Sequence, residues 1–471
     1  MLPHGINLTG NNYHNTDSAF IDLTRSSGGW SGKGGVGEDG WPLGATTQQM
    51  GCAIPLSPGT ADYTLIVTKG EMAKARVLNG DVPMTKVSDT VFTFRSDEPR
   101  VTIGIYPKGT GPVQVAVMRS DYVDRWRKGE RFTPEFLTYL DSAYSIRFMD
   151  WLGTNNGLPA RIPQMGDATW MGRVPVEVNI ELCNILKARM WHNVHPDLPM
   201  DQAIAEMRLI DSRLNPDLRV NNEWGNEVWN LNFRIGKLAA KWPGGSAFGY
   251  GVRVGQMAIA MDVAGLSDRM GVAICEQFVS PHRIGGVLQG YDSVKAPRSR
   301  ISTIAGAPYI MPRETRTTLQ AWAVANDQQS LFASMEKSLA THPSKHAQWA
   351  AWARQLNVDY DCYEINTSLD PKSPEQQKLF EPVAHSERAA RLVEKGLGYF
   401  FAAGGSCAHF LSSAGKGGDS GYWGMSPYYV DPVGYPVRRM WVAHNARAWK
   451  RVFSSAPANV RQSMEQAARE V

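Results

Sequence analysis

The stretch LRVNNEWGNEVWN, residues 218–230, decides how the chain is read. It opens as a short strand, sets Glu223 and Glu227 four residues apart, and places Asn226 directly before the second carboxylate. In a parallel barrel, residues at the C-terminal ends of the strands project into the mouth, where barrel active sites lie. Taken as such a strand, with a helix starting near Val228, the stretch puts a half-desolvated carboxylate and a neighbouring amide at the mouth. The plainer reading makes both glutamates solvated, or charges favoured at a helix N-terminus by its dipole.

Outward from this stretch, strand-like and helix-like segments alternate after residue 125. AYSIRFM, RMWHNV, LRVNNEW, RIGGVLQ, TIAGAPYI, NVDYDCYE and LGYFFAAGG read as strands, interleaved with helical PVEVNIELCNILKARM, MDQAIAEMRLIDSRL, RIGKLAAKW and RAARLVEKG. With the isolated GINLT near the start they make eight, the count of an α/β (β/α)8 TIM barrel. Between about 38 and 120 the pattern differs. DYTLIVTKG, AKARVLNG, TVFTFRS, RVTIGIYP and PVQVAVMRS alternate in polarity between Gly, Pro, Asp and Asn turns, as in a small antiparallel β-sandwich. The expected division is 1–35 for the first barrel strand and its connection, 36–124 for the sandwich, and 125–471 for the rest of the barrel. The sandwich then interrupts the barrel after its first strand or packs beside it.

Composition limits what these segments can do. A chain of 471 residues buries a sizeable core without staples. Its net charge of +4 offers no basic field for nucleic acid. Cys52, Cys183, Cys275, Cys362 and Cys407 are scattered, odd in number and without a CxxC pair, which suits folding in a reducing compartment and argues against structural zinc. No run of about 18 apolar residues suggests membrane insertion. The opening MLPHGINLTG lacks a basic stretch followed by an apolar one, so no secretory signal is expected in it. Aromatics are abundant, with 15 Trp and 16 Tyr, several beside polar residues. An indole face can stack on the C–H face of a sugar ring, so the surplus suggests carbohydrate contact, although most such residues are ordinarily core.

Glycine-rich WSGKGGVGEDGW at 30–41 contains GKGGVG, but Glu38 and Asp39 follow where a P-loop needs Lys and Ser or Thr. SSAGKGGDSGYWG at 412–424 reads as a flexible loop. The pairs His192/His195 and His342/His346 have metal-like spacing without a third ligand nearby, so no metal or other cofactor is expected, and the first pair better suits a polar role near the mouth. A second strand ends in a carboxylate, with Glu364 after Tyr363. Two carboxylates across a barrel mouth are the minimum for glycoside hydrolysis: one protonates the leaving oxygen, the other attacks the sugar or activates water.

Asn226–Glu227 at the fourth strand end, YE at 363–364, Arg147 ending the second strand, Tyr309 ending the sixth in APY, and Trp423 in GYWG together resemble the retaining (β/α)8 glycoside hydrolases of clan A. More narrowly, GINL, RFMDWLGTNN, NEVWN, GGVLQG, IAGAPY and YE resemble bacterial and phage proteins labelled cellulose-binding or glycanase-like, which pair such a barrel with a β-sandwich near the N-terminus. The resemblance implies that Glu227 is the general acid/base and Glu364 the nucleophile. It implies that Asn226 contacts the hydroxyl beside the anomeric carbon, that Arg147 and Tyr309 hold Glu364 ionised, and that Trp423 is a sugar-stacking floor. Glu223 would be a supporting or sugar-binding group, and Trp191 and His195, at the third strand end, further substrate contacts. There the segment WHNVHP has His and Pro exchanged relative to that group, and INTS follows Glu364 where a glycine-rich turn is usual.

The expected activity is retaining endo-hydrolysis of a β-linked polysaccharide such as a bacterial exopolysaccharide or glucan, acting outside the cell. The alternatives are a non-catalytic carbohydrate-binding barrel and a virion or envelope component that binds or depolymerises polysaccharide. Assembly into a homo-oligomer is left open.

Overall fold

The computed structural model describes residues 3–15, 17–44, 49–79, 82–415, 417, 421–429 and 435–442. Lys416 and residues 418–420 of the glycine-rich 412–424 loop lie outside the described residues. Eight parallel strands close into a barrel: His4–Asn7, Ser145–Arg147, Arg189–Val194, Val220–Trp224, Met270–Cys275, Ile301–Gly306, Asp359–Ile365 and Cys407–Phe410. The first strand pairs with both the second and the eighth, which closes the ring. Every strand is almost wholly buried, as expected where helices cover a parallel sheet.

Two barrel strands differ from the sequence expectation. RIGGVLQ lies in the helix Arg283–Ser293, and LGYFFA forms the end of the helix Glu387–Ala402. The fifth and eighth strands are instead Met270–Cys275 and Cys407–Phe410. Two glycines where the helix Arg283–Ser293 meets its neighbour have a packing reason. A Cβ on Gly290 would stand 2.0 Å from the Phe248 carbonyl oxygen, and one on Gly251 would stand 1.9 Å from that of Val287. Glycine at both positions lets Arg283–Ser293 and the long helix Gly245–Val263 press backbone to backbone.

Between the first and second barrel strands the chain forms two four-stranded antiparallel sheets. One joins Trp30–Gly32, Met50–Pro55, Arg100–Lys108 and Glu71–Val77. The other joins Met84–Lys86, Val91–Ser96, Ala61–Lys69 and Gln114–Arg119. Ile54, Ile103 and Ile105 from the first share one buried cluster with Leu65, Phe94 and Val117 from the second, so the sheets face each other as a sandwich. No helix among the described residues is long and apolar enough to cross a membrane.

Candidate active site

Barrel register brings the polar residues of neighbouring strands to one level. Arg147 pairs with Trp191, and Asn193 with Glu223. The Arg147 guanidinium is fully buried, and all five of its N–H groups are engaged. Nε donates to Glu223 Oε2 at 2.9 Å and Nη2 to Oε1 at 3.0 Å, a bidentate pair. Nη1 donates to Glu364 Oε1 at 2.7 Å and to Asn7 Oδ1 at 2.9 Å, and Nη2 also donates to Asn226 Oδ1 at 2.7 Å. Glu223 Oε2 accepts further bonds from Trp191 Nε1 at 2.7 Å and Asn193 Nδ2 at 2.8 Å. A buried guanidinium between two carboxylates, with its donors saturated, makes a rigid floor.

Glu227 sits above this floor because the fourth strand ends abruptly. Gly225 takes φ +77° and Glu227 itself φ +42°, in the left-handed region that a side chain with Cβ enters at a cost. No helix begins at Val228: the chain turns here and becomes helical only at Arg234–Ala239. The turn carries Asn226 and Glu227 across the mouth. Glu227 Oε2 accepts from Asn230 Nδ2 at 2.7 Å and Oε1 from the Tyr363 hydroxyl at 3.0 Å. Both donors are neutral. Burial first, and the charge of Glu364 second, push the Glu227 carboxyl up to about 8.

Glu364 reaches the same space from the seventh strand. Its Oε1 takes the Arg147 bond and its Oε2 accepts from the Tyr309 hydroxyl at 2.6 Å. Burial raises its carboxyl too, but here the cation and the Tyr309 hydroxyl pull in the opposite direction. The two glutamates line one cleft of about 590 Å³ with Asn226, Tyr309, Trp229, Asn230, Asp150 and Trp423. A second hollow of about 420 Å³ shares Thr9, Ser412 and Trp423 with it.

Of the residues singled out in the sequence, Asn226, Glu227, Tyr309, Glu364 and Trp423 meet at this cleft, and Arg147 and Glu223 lie beneath it. Trp191 and His195 do not reach it. Trp191 is fully buried, with its indole N–H on Glu223 and its ring edge against His409, so it has no face to offer a sugar. His195 is likewise buried, its ring bonded to the Asn156 carbonyl and the Asp197 amide. His192, His342 and His346 are buried too, and burial lowers them to about 3, 4 and 3. Much of the aromatic surplus is core: Trp41, Trp151, Trp170, Trp191, Trp349 and Trp441 are all enclosed.

Several site residues had escaped the sequence reading. Asn230 was visible as the last residue of NEVWN, and Tyr363 as the neighbour of Glu364, yet nothing in their spacing shows that both bond to Glu227. Asn193 and Asn7 needed the barrel register. Asp150, in RFMDWL, carries no local signal.

No protein-family model matches the chain, and no curated protein matches it. Among solved structures it is similar to a modular endo-β-1,4-mannanase from Cellulomonas fimi, at 12% identity over 64% of this chain and 63% of that one, with a TM-score of 0.39. It is also similar to a 4-O-α-L-rhamnosyl-β-D-glucuronidase from Fusarium oxysporum 12S, at 10% identity over 66% and 64%, with a TM-score of 0.42. A third is an N-terminal endo-1,4-β-D-xylanase of Clostridium thermocellum complexed with xylohexaose, at 10% identity over 90% and 95%, with a TM-score of 0.39. The chain spans less than two thirds of the length of the first two proteins.

Proposed function

We propose that this protein is a retaining endo-glycoside hydrolase acting on a β-linked polysaccharide. The observation that carries the reading is the unequal treatment of two carboxyls over one cleft. Glu227 has only neutral donors and is raised to about 8, while Glu364 is bonded to a guanidinium and a phenol. A pair with its affinities for the proton pushed apart is how acid and base roles are divided. Glu364 attacks the anomeric carbon as that carbon's bond to the glycosidic oxygen breaks. Glu227 gives its proton to the departing oxygen, leaving a glycosyl ester on Glu364. Glu227, now a carboxylate, takes a proton from water, whose oxygen attacks the same carbon and releases the sugar with configuration retained. Retention calls for the carboxyls to stand about 5–5.5 Å apart.

The cleft and the adjoining hollow on Trp423 support several subsites and hence endo action. The division into 1–35, 36–124 and 125–471, with the sandwich as accessory module, belongs to this reading, as does action on extracellular polysaccharide by a secreted or virion-borne protein. The test is reducing-end release from a panel of bacterial exopolysaccharides and plant β-glucans by wild type, Glu227→Gln and Glu364→Gln. Release by wild type alone is the expected result. Unchanged activity in either variant shifts the chemistry to other carboxylates, and binding without cleavage by wild type makes the protein a carbohydrate-binding barrel.

A further inference from the structure

The charge of the cleft bears on which polysaccharide it can hold. Its described lining includes four carboxyls, Asp150, Glu227, Glu364 and Asp370, and no Lys, Arg or His. Glu227 and Glu364 are committed to the chemistry. Asp370, at the edge, is paired with Lys372. The nearest cation beneath, Arg147, has every donor in use on Glu223, Glu364, Asn226 and Asn7, so it has none to turn toward a ligand.

Asp150 is different. It faces the cleft just past the second barrel strand, and its side chain has no hydrogen bond or ion pair among the described residues. Burial, and next the charge of Glu364, raise it to about 7, against the pull of Arg147. The side chain is half-buried at the cleft wall, and a carboxyl without a protein donor there is open to an incoming group that supplies one. The other polar groups on the walls are neutral, the amides of Asn155, Asn230 and Asn232 and the hydroxyls of Thr9 and Ser368, with Trp229 and Trp423 as flat apolar faces. Hydroxyls that donate to a carboxylate and bond to amides, on rings with an apolar C–H face, describe an uncharged sugar.

We propose that the cleft takes uncharged sugar residues and excludes anionic ones, with Asp150 as the specificity-determining group. Ionised above about pH 7, its carboxyl accepts the hydroxyls of the ring held against Glu364, and a uronate, sulfate or pyruvate substituent there meets like charge with no cation among the described lining residues to relieve it. The inference rests on the glycosidase reading and narrows it from any β-linked polysaccharide to a neutral one. At about 5 Å, like charges in such a site disfavour binding by about hundredfold or more.

The test uses the full-length Glu227→Gln protein, which binds without turnover, at pH 8, where Asp150 is ionised, on an array of uncharged, uronate-bearing, sulfated and amino oligosaccharides. Uncharged glycans are the expected ligands. Adding Asp150→Asn, close to isosteric, weakens them by about tenfold, the difference between a charge-assisted and a neutral hydrogen bond. Adding Asp150→Lys raises signal on uronate or sulfated glycans, and circular dichroism confirms that each variant is folded. Preferred binding of anionic or amino glycans by the parent overturns the proposal and leaves the glycosidase reading standing. So does an Asp150→Asn protein that binds uncharged glycans as well as its parent. An array with no bound glycan, together with no reducing-end release by wild type, removes the glycosidase reading itself.

Discussion

Glu223 and Glu227 stand four residues apart, and the regions they occupy treat them in opposite ways. On the barrel floor, Glu223 receives four hydrogen bonds, two from the Arg147 guanidinium and one each from Trp191 and Asn193. On the cleft wall, Glu227 receives two, both from neutral groups, and is pushed up to about 8. The floor compensates its charge and becomes rigid; the wall withholds compensation and leaves a proton in place. A barrel mouth can therefore keep a charge-compensated carboxylate and one with a raised pKa one turn of chain apart, because direction relative to the floor, and not residue type, sets the surroundings.

Exchanging each glutamate for glutamine tests this contrast most strongly. Glu227→Gln is expected to lower kcat on a polysaccharide by about 10²–10⁴, the usual worth of a general acid, and to keep the fold. Glu223→Gln leaves Arg147 short of charge in a dry site and is expected to cost about 3 kcal/mol in urea unfolding. Glu223→Gln with wild-type stability, or Glu227→Gln with unimpaired turnover, breaks the comparison.

The next effect is in pH. The kcat/KM profile should fall on the alkaline side near pH 8 as Glu227 deprotonates. Stability follows with a defined sign. Because folding raises the Glu227 pKa from 4.5 to about 8, its contribution is fully present below about pH 4.5 and is lost as pH rises through 8. Glu227→Gln, which cannot ionise, should therefore gain on wild type between pH 5 and pH 9 in denaturant midpoint. Replacing Glu364 by Gln removes a charge that raises Glu227, so carbon-13 NMR titration should place the Glu227 carboxyl lower in that variant. An unmoved Glu227 would mean that burial alone holds it up.

The smallest effect lies at the edge of the wall. Trp423 meets Tyr309 edge-on at 5.5 Å between ring centres and lines the cleft. Trp423→Ala is expected to raise KM by about tenfold with little change in kcat, since it removes stacking area and leaves the carboxyls in place. Loss confined to kcat would make Trp423 a support for Tyr309 and Glu364, not a sugar platform.

Legibility in the sequence followed how local each signal was. The sandwich strands alternate in polarity because one face is buried and the other wet, so Ala61–Lys69 or Arg100–Lys108 can be read from one segment alone. Barrel strands are buried on both faces and do not alternate, so a strand and the core of a packed helix look alike. That is why the glycine-containing RIGGVLQ reads as a fifth strand although it is helical, and why Met270–Cys275 carries no distinct strand signal. The four-residue Cys407–Phe410 was hidden behind the apolar end of the helix before it.

By itself the sequence determined the fold class, six of the eight barrel strands, the sandwich pattern, and the candidates Glu227 and Glu364 with Asn226. Those rest on residue types and pattern near strand ends, whereas Arg147, Tyr309 and Trp423 are candidates through the resemblance to clan A glycoside hydrolases. Only the tertiary structure decided that Glu223 belongs to the floor and Glu227 to the wall, that Trp191 and His195 are enclosed, and that Asp150 faces the cleft without a hydrogen-bond partner among the described residues. These outcomes depend on strand register around a closed ring and on one left-handed turn at Gly225–Glu227. They bring together residues far apart in the chain, and hydrogen bonding and desolvation act on that proximity.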